Sequence, residues 1–157
     1  MRKRMIIKDI QSVTPPDESW LDLVSIAQAE LTSEDPSFPI ESALKPGMGS
    51  GWRASEPGRQ TVRLLFDEPV RIRRAHLVFH EEERQRTQEI LLRWSSDGGH
   101  SYQDIVRQQY NFSPPDSTRE VEDYDVDLAG LTTLELILSP DISGGDARAS
   151  IAELRLA

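Results

Sequence analysis

Eight aromatic or planar polar side chains recur together in three irregular segments of this sequence. An aromatic ring packs against the apolar face of a ligand, and guanidinium, imidazole and amide groups can hydrogen-bond neighbouring hydroxyls. Because both kinds of group occur side by side, the combination suits a polyhydroxylated ligand such as a sugar. The candidate ligand-binding residues are Trp52, Arg53, His80, Arg84, Arg86, Tyr110, Asn111 and Phe112.

Two of the aromatic candidates have an alternative place in a hydrophobic core. For Trp52, packing in the core is the favoured interpretation, because tryptophan is highly buried on average. Phe112 is followed by Ser113 and two prolines, which mark a loop. For Phe112, both an exposed ring that contacts a ligand and a buried ring therefore stay open.

Three aspartates at alternate positions look like the start of a calcium-binding loop. Asp123, Asp125 and Asp127 have the required spacing. Such a loop also needs glycine at its sixth position and glutamate at its twelfth, where this sequence has Leu128 and Leu134. We therefore expect the three carboxylates to form the solvated face of a strand.

The residue types do not indicate an enzyme. Glycoside hydrolysis would need two carboxylates held across a cleft, and nothing in the sequence places such a pair. With three histidines and no cysteine, the chain shows neither a nucleophilic triad nor a zinc-binding set. We expect a binding module without catalytic activity.

The overall composition excludes several classes of partner. The length of 157 residues suggests one domain, and the net charge of -9 opposes binding to the phosphate backbone of nucleic acids. No apolar run is long enough to span a membrane, so we expect no membrane insertion. The basic start is followed by only Met5, Ile6 and Ile7 before Lys8, which does not make a signal peptide. The expected location is the cytoplasm.

The elements that must position the candidate residues are strands. Three runs between residues 60 and 110 place apolar side chains at every second position, which indicates strands with one buried face. Turn residues over 67–69 and 96–99 separate them and predict an antiparallel meander. The predicted core residues are Val62, Leu64, Phe66, Ala75, Leu77, Phe79, Ile90, Leu92 and Trp94.

Further strands are predicted on both sides of this stretch. Alternation breaks at Arg73 and Arg74, which predicts a β-bulge there. Together the runs predict an all-β fold, an antiparallel jelly-roll β-sandwich of about eight strands over residues 27–157. Residues 1–26 would form an N-terminal arm, with a strand or extended arm over 5–13 and a short helix that includes Trp20. The other predicted strands span residues 27–33, 120–128, 134–138 and 152–156.

The connections between the predicted strands differ in length at the two ends of the sandwich. In an antiparallel arrangement successive connections alternate between the ends, which brings the long ones together. This asymmetry predicts a binding site at one end, because loops carry sites on a rigid scaffold. The long connections are residues 34–59, 81–87, 111–117 and 140–148.

Four short motifs follow one another in a particular order. They are Gly51-Trp52-Arg53 at the end of a loop, an acidic-x-Pro-x-x-Ile segment over 67–72, a Ser-x-Asp-Gly turn over 95–98 followed by Tyr102, and the closing Ile151-Ala152-Glu153-Leu154. In this order and spacing, the chain from residue 27 to residue 157 resembles the discoidin, or coagulation-factor type C, domain family. That family has a galactose-binding-like jelly-roll fold.

The resemblance implies a binding module without catalytic activity. Bacterial members of the family commonly bind glycans, often galactose-type sugars. They use a His or Arg of the first hairpin loop and an Asn or aromatic side chain of later loops. A similar fold serves as a protein–protein docking domain in the single-strand-break repair scaffold. The expected partner is therefore a glycan, with an intracellular protein as the alternative.

The resemblance also raises the question of calcium. Many members hold a structural calcium ion in the loop before the Trp, where an Asp-Gly pair normally sits, with a Glu of the closing strand nearby. Here Lys45 stands where the Asp is expected, although Glu153 is present. Because an ammonium group cannot ligate Ca²⁺, we expect no cofactor, and a structural calcium ion would have to bind despite Lys45.

Overall fold

The computed structural model describes residues 20–45, residue 47 and residues 50–157. The predicted arm over residues 5–13 lies outside this part of the chain, as does most of the predicted N-terminal segment. Helix α1 (Leu23–Ile26) is a single turn that begins after Trp20 and ends where the first strand begins. No helix in the described part is both long and apolar enough to cross a membrane.

Strands make up most of the described residues. A second one-turn helix, α2 (Glu41–Leu44), lies in the long segment before residue 60. Eight strands are present among the described residues, which agrees with the predicted number. They are β1 (Ala27–Leu31), β2 (Trp52–Arg53), β3 (Gln60–His80), β4 (Arg86–Ser95), β5 (Gln103–Phe112), β6 (Arg119–Ser139), β7 (Ser150–Ile151) and β8 (Glu153–Leu156).

Strands β3 and β6 are each 21 residues long and run antiparallel side by side over their whole lengths. The predicted turn over residues 67–69 is wrong, because β3 bends there without ending. The predicted β-bulge is confirmed: the register shifts between Ile72 and Arg74, and also between Leu65 and Val70. Bulges and a proline let both strands change direction while most of their ladder persists.

The bend divides the strands into two packed layers. A five-stranded layer contains β1, the first half of β3, the second half of β6, β4 and β5. A three-stranded layer contains β8, the second half of β3 and the first half of β6. The predicted meander is wrong, because β6 lies between β3 and β4. The antiparallel β-sandwich itself is confirmed.

The core lies between the two layers. Of the nine predicted core residues, all are buried except Trp94, which is half-buried. The rings of Phe79 and Tyr110 lie 6.0 Å apart and join the two layers. Asp123, Asp125 and Asp127 alternate with half-buried residues and form the predicted solvated face.

Because β3 and β6 both bend, their four termini lie at one end of the sandwich, which we call the loop end. The backbone N–H of Glu81 donates to the carbonyl of Thr118, and that of Gly58 donates to the carbonyl of Ala147. These bonds tie the long connections to one another. The connections at the loop end are residues 32–59, 81–85, 113–118 and 140–149.

A row of alternating charges crosses the outer face of the five-stranded layer. In register, the row runs Glu30, Arg63, Glu135, Arg93 and Asp104, one residue from each strand. The Glu135 carboxylate is 1% exposed and accepts hydrogen bonds from both arginines, at 2.8 Å from the first and 2.5 Å from the second. This buried carboxylate therefore holds three strands together through the two guanidinium groups.

We predict that Glu135→Ala lowers the free energy of unfolding by about 2 kcal/mol. Removing one partner of a buried ion pair leaves the other charges uncompensated. Here the two arginines are about a third exposed, so water offsets part of the cost. Urea unfolding measures the change. Asp127→Ala is the control, because its pair with Arg71 is exposed on both sides and its loss should shift the midpoint much less. Equal shifts would contradict the prediction.

The half-buried carboxyl of Glu122 in the three-stranded layer holds a proton near neutral pH. Burial, together with a hydrogen bond shared with the Glu120 carboxyl, raises its pKa to about 7. Both side chains point to the same side of β6, since they are two residues apart. The folded chain therefore binds a proton here more tightly than the unfolded chain does.

We predict that the free energy of unfolding decreases as the pH rises from the ordinary pKa of Glu122, 4.5, to its folded pKa of about 7. The folded pKa of about 7 lies above the ordinary value of 4.5, so the unfolded chain releases the proton first and unfolding is favoured between those values. Glu122→Gln should remove this part of the pH dependence and raise the urea midpoint at pH 8. Glu56→Gln, at an exposed loop position, should leave the wild-type pH profile unchanged. A profile for Glu122→Gln that matches the wild type would refute the assignment.

Candidate functional site

A cleft of about 320 Å³ opens at the loop end of the sandwich. One wall carries Arg53, Arg148 and Ser150, and the facing wall carries His80 and the glutamates of the connection after β3. The aromatic rings of Phe38 and Trp52 also line it, together with Ser50 and Arg86. The lining of the cleft is thus mainly polar, with the partly exposed ring of Phe38 among the polar side chains.

The first wall is the short ribbon of β2 and β7. Arg53 lies opposite Ser150 and Trp52 opposite Ile151, so successive side chains alternate between the cleft and the core. Gly51 has φ +86, and a Cβ there would collide with the carbonyl of Ile151. The glycine thus lets the loop approach the ribbon closely enough for Trp52 to enter the core.

Trp52 is a core residue, as the favoured interpretation of the sequence predicts. Its side chain is 0% exposed, and its indole N–H donates to the carbonyl of Ser33 at 3.3 Å. The ring therefore supports the base of the cleft and presents no free face to a ligand.

Phe112 and Tyr110 are also buried, so for Phe112 the buried alternative holds and neither ring is exposed to stack on a ligand. Strand β5 continues to Phe112, and every second side chain at its end points into the core. The Phe112 side chain is 1% exposed and lies beneath the Arg86 guanidinium, 4.8 Å from it. The Tyr110 hydroxyl bonds that of Tyr124 at 3.1 Å. Burial and this bond raise the pKa of Tyr110 well above its usual range.

Arg86 connects two loops through its Nε and one of its terminal nitrogens. Its Nε donates to Glu81 at 2.6 Å, and its Nη1 donates to the carbonyl of Pro140 at 2.6 Å and to the side-chain oxygen of Gln88 at 2.9 Å. Burial pushes the pKa of Glu81 upward, but Arg86 and the backbone N–H of Glu83 outweigh burial, so that pKa is lowered. The buried ion pair therefore fixes the connection after β3 as one wall of the cleft.

Two further candidates lie outside the cleft. Arg84 is exposed and pairs with Asp146 at 2.7 Å. Asn111 is exposed at the end of β5, where its side-chain oxygen accepts a bond from the hydroxyl of Thr87 at 2.6 Å. The structure thus brings Arg53 and His80 together as exposed candidates, with Trp52 and Arg86 as buried supports.

The sequence reasoning missed the other residues of the cleft. Phe38 is half-buried, and the Arg53 guanidinium lies over its ring at 5.9 Å. The backbone N–H of Arg53 also donates to the carbonyl of Phe38, which ties the long loop to β2. Arg148 stands two residues before Ser150. The sequence signal that could have identified Phe38 is its position in a loop between Pro36 and Pro39. Ser50 and Ser150 were also missed, whereas Glu82 and Glu83 lie in the connection over 81–87 that was predicted at the binding end.

The residues expected around a calcium ion do not form an oxygen-rich cage in the described part of the chain. Lys45 is exposed and contributes an ammonium group. The carboxylate of Glu153 lies 3.5 Å from both the ring of His76 and the guanidinium of Arg155. Among residues 20–45, 47 and 50–157, no three or more His, Asp or Glu side chains gather in a way that could hold a metal ion.

Comparisons with known proteins give similarity in structure only. No protein-family model matches the sequence, and no curated protein matches it. The family 32 carbohydrate-binding module of Clostridium perfringens NanJ, in complex with galactose, superposes with a TM-score of 0.64 at 13% identity, over 87% of this chain and 96% of that one.

Two further solved structures extend the comparison. A pectin-binding carbohydrate-binding module has a TM-score of 0.61 at 16% identity, over 83% of this chain and 89% of that one. XRCC1 bound to the catalytic domain of DNA polymerase β has a TM-score of 0.57 at 17% identity, over 82% of this chain and 92% of that one. The chain therefore has the discoidin-like, galactose-binding-like β-sandwich fold of family 32 carbohydrate-binding modules.

Proposed function

We propose that the chain is a carbohydrate-binding module without catalytic activity, and that its cleft takes a galactose-type sugar. The fold supports the proposal, since the module in complex with galactose shares it. The observation that carries the proposal is the cleft itself, in which exposed hydrogen-bonding groups surround an aromatic ring. Its volume of about 320 Å³ lies at the lower end of the range for small-ligand sites, about 300–1,000 Å³.

The accessible side chains of the cleft can each make a specific contact with a sugar. The half-buried ring of Phe38 offers an apolar surface to the C–H groups of a pyranose. The guanidinium of Arg53 and the imidazole of His80 offer donors for ring hydroxyls. The carboxylates of Glu82 and Glu83 accept bonds from hydroxyl groups, and charged acceptors make the stronger bonds.

The placement of the carboxylates supports binding without catalysis. Glu82 and Glu83 are neighbours in the chain and belong to the same wall of the cleft. Glu81 is committed to Arg86. Glycoside hydrolysis needs two carboxylates on opposite sides of the bond, about 5–10 Å apart, and the facing wall of this cleft carries arginines.

The alternative of a protein-docking module is less well supported. A docking surface normally includes a contiguous exposed apolar patch. Among the described residues, the large apolar side chains that are exposed are Val121, at 39%, and Ile142, at 50%. They lie on different elements, the first on β6 and the second in the connection after it. The concave polar cleft is the more distinctive surface.

We predict that Phe38→Ala and His80→Ala each weaken binding of a galactoside by roughly three- to tenfold. The first change removes a ring contact and the second removes a polar contact, each worth about 1 kcal/mol. Titration calorimetry or chemical-shift titration with methyl galactoside measures the affinity, and thermal melting checks the fold.

Arg71→Ala is the matched control, because this exposed residue lies near the bend of β3 at the opposite end of the sandwich. Its affinity for the galactoside should equal that of the wild type. If galactosides and galactose-containing glycans fail to bind the wild-type chain, the proposed function is wrong. If they bind and both cleft variants keep full affinity, the cleft is not the site.

A further inference from the structure

Two arginines of the cleft differ from most arginines of the chain. Arg53 and Arg148 are exposed, and neither makes an ion pair with any carboxylate among the described residues. Acidic residues outnumber basic ones by 27 to 18, so partners for a guanidinium are plentiful. Arg59, Arg73 and Arg119 also form no such pair among the described residues, but they do not line the cleft. The arginines that form carboxylate pairs are Arg63, Arg71, Arg74, Arg84, Arg86, Arg93, Arg107 and Arg155.

The ribbon places these two guanidinium groups on the same wall. Arg53 lies opposite Ser150, and Arg148 precedes Ser150 by two residues. The backbone N–H of Ala54 donates to the carbonyl of Ala149, so the pairing continues beyond the two named strands. Ala149 is buried, and the residues on either side of it point into the cleft. The side chains of Arg53 and Arg148 are therefore diagonal neighbours across the ribbon.

The carboxylates of the cleft do not neutralise this wall. Glu81 is held by Arg86 at 2.6 Å. Glu82 and Glu83 stand on the facing wall, and neither forms an ion pair with Arg53 or Arg148 in the described part of the chain. The cleft therefore has a cationic wall and an anionic wall, and a sugar bound between them would meet both.

We infer that the sugar taken by this cleft carries a carboxylate, as a uronic acid does, and that Arg53 and Arg148 bind that group. The inference rests on the proposed function and names its ligand class. A guanidinium presents N–H donors in a planar fork that matches the two oxygens of a carboxylate. The hydroxyls of the same sugar face the glutamates of the opposite wall, whose carboxylates accept hydrogen bonds. For a galactose-type sugar, the ligand is galacturonate.

The test compares three ligands that differ at one carbon. Methyl galactosiduronate, its methyl ester and methyl galactoside share the ring and the hydroxyls at the other positions, and the first alone carries a charge. We expect the uronate to bind the whole chain at least tenfold more tightly than the ester or the neutral galactoside at low ionic strength. The preference should shrink as salt is added.

Variants assign the preference to the two arginines. Arg53→Gln and Arg148→Gln should each lower the affinity for the uronate toward that of the ester, and change the affinity for the ester much less. Arg84→Gln is the matched control, because Arg84 is exposed, lies near the cleft and is already paired with Asp146. It should keep the full preference. Thermal melting confirms that each variant is folded.

The outcomes separate this inference from the proposed function. If uronate, ester and neutral galactoside bind with equal affinity and Phe38→Ala weakens all three, the inference is wrong and the proposed function stands. If the uronate preference survives in both arginine variants, the assignment to Arg53 and Arg148 is wrong. If none of the three ligands binds the wild-type chain, both the inference and the proposed function fail.

Discussion

The continuous pairing of β3 with β6 is the constraint from which the architecture follows. Each strand is 21 residues long, and the two bend together where their register shifts. A straight pair of that length would place its termini at opposite ends of the molecule, about 70 Å apart. The bend folds the pair into two layers, so Gln60 and His80 reach the same end. The loops that continue from both termini must then pack against one another, and the cleft lies among them.

The buried side chain of Arg86 holds two of these loops in a fixed position relative to each other. A buried guanidinium is costly unless its donors are satisfied. Here Glu81, Gln88 and the carbonyl of Pro140 accept from it, and the ring of Phe112 lies beneath it. Because these partners come from two different loops and two strands, the ion pair fixes their relative position. These contacts, together with its burial, make Arg86 a support of the cleft.

Local patterns in the sequence predict the strands and the fold but only part of the cleft. Period-two alternation shows which side chains enter the core. It does not distinguish a turn from a bend within a strand. Pro69 therefore predicted the end of a strand, although β3 continues through it. Phe112 was misplaced because a strand can extend to the last residue before a loop. Arg53 was among the predicted candidates because it follows Trp52 at the end of the long loop. Arg148 and Phe38 were missed, because they join the cleft through the β2–β7 ribbon, whose pairing spans about a hundred residues of sequence.

The overall charge of the chain and the charge of the cleft act over different distances. A net charge of -9 repels anionic ligands at long range, but at physiological ionic strength that repulsion decays within about 8 Å. Arg53 and Arg148 act at hydrogen-bonding distance, where screening is weak and geometry decides. An acidic surface and a cationic wall are therefore compatible. An acidic surface disfavours polyphosphates, while in the function we propose the cationic wall selects a carboxylate on a sugar that fits the cleft by its ring and hydroxyls.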